Sequence, residues 1–149
     1  MTKWETEMRN KKEALEVFLG EEVENLCDNI FESESGEEYM VLTDDEADNE
    51  AEKNIKDSLW AFNADFILKH TNFYRISTAE EDQVFINSIK VMQNTLCENA
   101  NGLVYAMIED IDIFIGGAIE EDGRGHFISM YDGEENEQNG FYIYRMEWK

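Results

Sequence analysis

Two periods run through this chain, and together they restrict it to one fold class. Up to about residue 119, apolar side chains recur at steps of three and four, the spacing that brings them onto one face of an α-helix. Phe85, Ile89, Met92 and Leu96 are the clearest case. Near the C-terminus the period changes. Asn139-Gly140 stands between Glu134–Gln138 and Phe141–Met146, and Asn-Gly between two extended runs is the strongest short-range hairpin signal. Tyr39-Met40-Val41-Leu42 has the composition of a short strand. A lone hairpin is marginal in water, so the hairpin at 134–146 is expected to join the strand at 39–42 in a small antiparallel sheet. The expected class is therefore α+β: a mostly helical single domain over residues 1–149. The length suits one core, and no proline interrupts the chain.

Further elements follow from caps and breakers. Leu15, Leu19, Val23, Leu26 and Ile30 predict helix over 4–31, with Gly20 able to split it, and residues 1–37 read as a peripheral N-terminal helical segment. Thr43-Asp44-Asp45-Glu46 fits a capping box opening a helix over about 44–61. Asn63 caps a short helix ending near His70, and Ser77 or Thr78 opens the one carrying Phe85. Leu103, Met107, Ile111, Phe114 and Ala118 predict a further, well-buried helix. Residues 126–131 read as either a helical turn or a strand. Cys27 and Cys97 fall on apolar helix faces outside any metal or redox spacing, so both are expected to be buried free thiols.

Acidic residues outnumber Lys and Arg 35 to 12, a formal charge of −23. Self-repulsion on that scale opposes compaction, so something must offset it. The excess is uneven. Residues 1–50 carry −13, residues 51–100 carry −2 and residues 101–149 carry −8. Direct binding to nucleic-acid phosphates or to anionic membranes is disfavoured by the same electrostatics. The acids at Glu21, Glu22, Glu24, Asp44, Asp45, Glu46, Asp48, Glu120, Glu121, Asp122, Glu134, Glu135 and Glu137 are candidates for a surface facing a basic partner. The N-terminus has no signal-peptide pattern and no apolar run reaches bilayer length, which predicts a cytoplasmic protein.

No phosphate-loop, dinucleotide, zinc-protease or serine-hydrolase motif is present. Asp44-Asp45-Glu46 and Asp110-Ile111-Asp112 lack the alternation and glycine of a calcium loop. No metal, cofactor or catalytic residue is expected. His70, near a helix C-terminus, is explained by the helix dipole. Arg124, His126, Tyr131 and Asp132 crowd one stretch, with Tyr142, Tyr144 and Arg145 within reach across the hairpin. Such a group can bind an anion or move a proton. It can equally pin the hairpin in place, which is the favoured reading. Trp4, Trp60 and Trp148 read as packing anchors, with the two terminal ones candidates for exposure.

Five segments resemble a group of small phage and prophage proteins: Glu38–Asp48, Ser58–Phe66, Gly123–Phe127, Tyr131–Glu135 and Tyr142–Arg145. They are in matching order and span about residues 38–146. The resemblance implies a phage-borne origin and a role in the bacterial host cytoplasm. It carries over no activity and no catalytic residues. With the charge, it leads to the expectation of a non-enzymatic inhibitor or regulator of a host or defence protein that normally binds nucleic acid, with DNA mimicry as one route. The alternatives are a small-molecule site around Arg124 and His126, and an accessory phage protein whose acidity only keeps it soluble.

Overall fold

The computed structural model describes residues 1–146, and the class is α+β: six α-helices, several single 3-10 turns and one five-stranded antiparallel sheet. Trp148 lies outside the described residues. The chain divides into two compact units, Met1–Ala51 with Asp122–Lys149, and Glu52–Glu121. The first holds the sheet. It also holds 23 of the 35 acids against seven of the 12 Lys and Arg, a net charge of −16.

In the first unit, α1 (Lys3–Leu19) opens with a capping box between Thr2 and Glu5 and stops at Gly20, whose φ of 73° is left-handed. Residues 20–31 were expected to continue the helical segment. They form β1 (Val23–Cys27) and β2 (Ile30–Ser33) instead, joined at Asp28-Asn29. The three-and-four spacing through Val23, Leu26 and Ile30 was fortuitous, since Leu26 is 43% exposed. The operative pattern is alternation, which buries Phe31 and Ser33 and points Glu32 to the opposite face. The sheet is completed by β3 (Glu38–Leu42), β4 (Asn136–Gln138) and β5 (Phe141–Met146), in the order β1-β2-β3-β5-β4. Asn139 and Gly140, at φ 54° and 82°, make the expected tight turn, and β5 pairs with β3 as expected. One face of the sheet packs Val23, Phe31, Tyr39, Val41 and Ile143 with Met8 and Leu15 of α1.

The capping box at Thr43 is present. The Thr43 amide donates to Glu46 Oε1 at 2.9 Å and the Glu46 amide to Thr43 Oγ1 at 3.2 Å, opening α2 (Asp44–Asp57). Lys11 of α1, only 1% exposed, reaches the same turn. Its ammonium lies 2.7 Å from Glu46, 2.8 Å from Asn29 Oδ1 and 3.3 Å from Glu7, so its three donors meet three acceptors. Partial burial works to raise the Glu46 carboxyl. The hydrogen bonds from Lys11 and Thr43 and the Lys11 charge outweigh it and hold the group below its ordinary 4.5. A carboxyl depressed in the fold contributes stability that is complete above its unfolded pKa and lost as pH falls through the folded value. The urea-midpoint difference between wild type and Glu46→Gln should therefore be largest near neutrality and shrink as pH drops below 4.5. Lys11→Ala should cost about 2–3 kcal/mol at neutral pH by the same measurement.

The second unit takes up the end of α2, then α3 (Ala64–Lys69), α4 (Ala79–Leu96), α5 (Asn101–Met107) and α6 (Ile111–Asp122), whose last residue belongs to the first unit. Asn63 caps α3, and Thr78 caps α4 through a capping box with Glu81. Ile55, Leu59, Ile67, Leu68, Ile89, Val104 and Phe114 are buried. The Gln93 side chain donates to the Trp60 and Phe62 carbonyls, and Asn101 bridges the Lys56 carbonyl and the Trp60 amide. The single helix expected over 103–118 is two helices. Asp110 breaks it by accepting from the amides of Asp112 and Ile113, while the Glu109 amide donates to the His70 carbonyl. Leu103, placed on the expected buried stripe, is 51% exposed. The cysteines are free but exposed, Cys27 on an edge strand and Cys97 just past the last turn of α4.

His70 is also corrected. It sits at the end of α3, but its ring packs among Phe66 and Phe114 with centroids 4.7 and 5.1 Å away. Burial lowers its pKa below 6.5 and keeps it neutral, against the pull of the helix dipole. The unfolded chain then takes up protons first as pH falls below 6.5, and stability falls with it. His70→Phe should remove this loss, so that its thermal midpoint gains on the wild type between pH 7 and pH 5.

Candidate acidic interface

Arg124 lies in a 3-10 turn (Arg124–Phe127) that returns the chain to the sheet. Gly125 permits the approach, because a Cβ there would meet the Gly133 carbonyl oxygen at 2.7 Å. The guanidinium is 12% exposed. Its Nε donates to Glu135 at 2.7 Å, and one Nη donates to Asp44 and Asp48 at 2.8 Å each. It also lies 4.7 Å over the Tyr142 ring. Burial opposes the charge, but the three carboxylates raise the pKa above its ordinary value. The Tyr144 hydroxyl bonds Glu135 and is itself raised, first by burial and then by that carboxylate.

The group expected around Arg124 is divided by strand alternation. Tyr142 and Tyr144 lie on one face of β5 and Arg145 on the other. Arg145 stacks 3.8 Å over Tyr131 and pairs with Glu37 at 3.3 Å. The Asp132 amide donates to the Ser129 hydroxyl at 3.3 Å, and that hydroxyl donates to the Arg145 carbonyl at 2.8 Å. His126 is exposed and packs edge-on against Phe127. These residues hold the segment before β4 against the sheet. Arg124→Ala, which leaves Asp44, Asp48 and Glu135 facing one another without their cation, should cost about 2 kcal/mol in urea unfolding. Arg124→Lys should recover less than half of it, because an ammonium cannot reproduce the fork.

The acids take several positions. Glu46 serves Lys11, and Asp44, Asp48 and Glu135 serve Arg124. Glu137 holds the Tyr142 hydroxyl and raises its pKa, while Glu21 accepts from the Glu34 amide. Glu22, Glu24, Asp45, Asp122 and Glu134 are exposed in the first unit, and Glu120 and Glu121 are exposed at the end of α6 in the second. Asp44, Asp45 and Asp48 each bring a carboxylate oxygen within 4.8 Å of the others, and Arg124 donates to two of them.

The sheet adds an arrangement that the sequence reading missed. Glu24 of β1 is paired directly with Glu32 of β2, and Glu32 with Glu38 of β3. Directly opposed residues share a sheet face, so three glutamates form a row across adjacent strands spaced roughly 4.8 Å apart. Like charges placed opposite one another destabilise a sheet. Glu32 and Glu38 were overlooked because 23–31 read as helix. The Asp28-Asn29 pair, with Asp28 at φ 39°, is the turn signal that could have exposed the register. No helix among the described residues is long and apolar enough to cross a membrane. Comparison with known proteins finds no matching family model, no similar curated protein and no similar solved structure.

Proposed function

We propose that this is a small phage-type protein that works in the bacterial host cytoplasm by binding and not by catalysis. Its partner is a basic host or defence protein that normally handles nucleic acid, and its carboxylates stand in for phosphates. The observation that carries this reading is the Glu24–Glu32–Glu38 row. Three like charges on one sheet face work against the fold, so their use lies outside it. Their setting supports the same reading. The first unit carries −16, and the cations beside the acid-rich start of α2 are turned inward, with Lys11 1% and Arg124 12% exposed. Asp44 and Asp48 face outward at 64% and 61%. DNA presents about one charge per 1.7 Å of axis, and rows of fixed carboxylates offer a basic groove a comparable field. Association driven by such a field is fast and salt-sensitive.

The test separates binding from stability. Glu32→Lys removes two like-charge oppositions and should raise unfolding stability by about 0.2–1 kcal/mol. The same change should weaken capture of the partner. Wild type and variant, immobilised in parallel, are exposed to bacterial lysate and eluted with rising salt. One or two nucleic-acid-handling proteins should leave the wild type at moderate salt and the variant at lower salt. Elution of only abundant basic proteins, at the same low salt from both, would leave the acidity as a solubility device.

A further inference from the structure

The second unit contains an apolar cleft that the acidic row does not involve. Phe73, in the 3-10 turn Asn72–Arg75, stacks on Phe85 of α4 with ring centroids 5.1 Å apart and planes 21° from parallel. The pair lines a cleft of about 470 Å³ completed by Glu80, Glu81, Val84 and Ser88. Val84 is 65% exposed, and Ile76, in the connector between Phe73 and Glu80, is 83% exposed. The helix behind the cleft has 18 residues, of which Ile89 alone is buried. Isolated exposed apolar side chains are ordinary, but a concave apolar site with charged groups on one rim is a recognition geometry.

The rim selects the occupant. Two exposed carboxylates stand on it, Glu80 and Glu81, of which Glu81 also accepts from the Thr78 amide at 3.1 Å through the capping box. A segment with an apolar side chain beside a Lys or Arg complements both parts of the site. An acidic segment or an anionic lipid surface is repelled, and a second copy of a chain carrying −23 is disfavoured for the same reason. We propose that this cleft docks an amphipathic basic helix of another protein. A Leu or Phe packs into the cleft against the Phe73–Phe85 pair and Val84, and a cation one turn away on the same face pairs with Glu80. The site stands on a different unit from the acidic row and does not rest on the DNA-mimic reading.

The test titrates the full-length protein with a fluorescent synthetic helix of leucine and lysine, followed by anisotropy at physiological salt. Saturable binding is expected. Val84→Asp should weaken it about tenfold, although the change adds a negative charge and would strengthen association by charge alone. Circular dichroism checks that the variant folds, and Val84→Ser, smaller and uncharged, should weaken binding in the same direction. Glu80→Lys should also weaken it and reduce its salt dependence. Unchanged affinity in the folded Val84→Asp protein overturns the proposal. So does loss of the peptide on Glu24→Lys/Glu32→Lys with Val84→Asp unaffected, which would assign binding to the acidic sheet face. A concentration-dependent dimer of the wild type that Val84→Asp dissolves overturns it in favour of a self-interface. Failure of the lysate capture leaves this result intact, because the peptide assay does not involve the first unit's partner.

Discussion

The first turn of α2 is where the first unit is fastened together. Asp44, Asp45, Glu46 and Asp48 are there because a helix N-terminus favours negative charge, but four acids in five residues repel one another. Two inward cations relieve the strain. Lys11 connects Glu46 to α1 and to the β1–β2 turn at Asn29. Arg124 connects Asp44 and Asp48 to Glu135 and lies on Tyr142 of β5. The same two side chains therefore tie both ends of the chain to one helical turn. In a protein with so few bases, placing two of them out of water is a considerable commitment. The geometry repays it because each has several acceptors at 2.7–2.8 Å.

That arrangement also shapes the outer field. An ion pair whose cation is buried and whose carboxylates face solvent presents its negative end to any approaching molecule. Among the described residues, the Glu24–Glu32–Glu38 row has no such counter-charge in its register. β1 is an edge strand, and edges invite pairing with other chains. Here the edge carries Glu24 and a register shift between Asn25 and Cys27, both of which discourage it. A row of acids can therefore keep an edge from aggregating and also offer a surface to a basic groove.

Signals that act over a few residues were legible. The capping box at Thr43, a helix start at Ser77 or Thr78, the cap at Asn63, the Asn139-Gly140 turn and the strand at 39–42 all occur where the sequence places them. Readings that required knowing what lay opposite were less secure. Val23, Leu26 and Ile30 fit a helical step although the chain there is extended, because a window of so few residues satisfies both periods. Leu103–Ala118 read as one helix because Asp110 can either sit in a helix or cap one. Which it does depends on His70 accepting from the Glu109 amide, a contact from 39 residues away. The residues grouped from Arg124 to Arg145 lie close in the sequence but do not form one cluster. Only the pleat showed that Arg145 faces away from Tyr142 and Tyr144.

By itself the sequence determined the α+β class, most of the helix starts, the hairpin and the acid excess, since each depends on backbone preference, local capping or plain composition. The tertiary structure alone decided which acids are spent on Lys11 and Arg124 and which line up across the sheet. It also decided that His70 is an aromatic-core residue and that Phe73 and Phe85 form a cleft. Those outcomes depend on strand register and on contacts between residues distant in the chain. Charge count and periodicity carry no information about either.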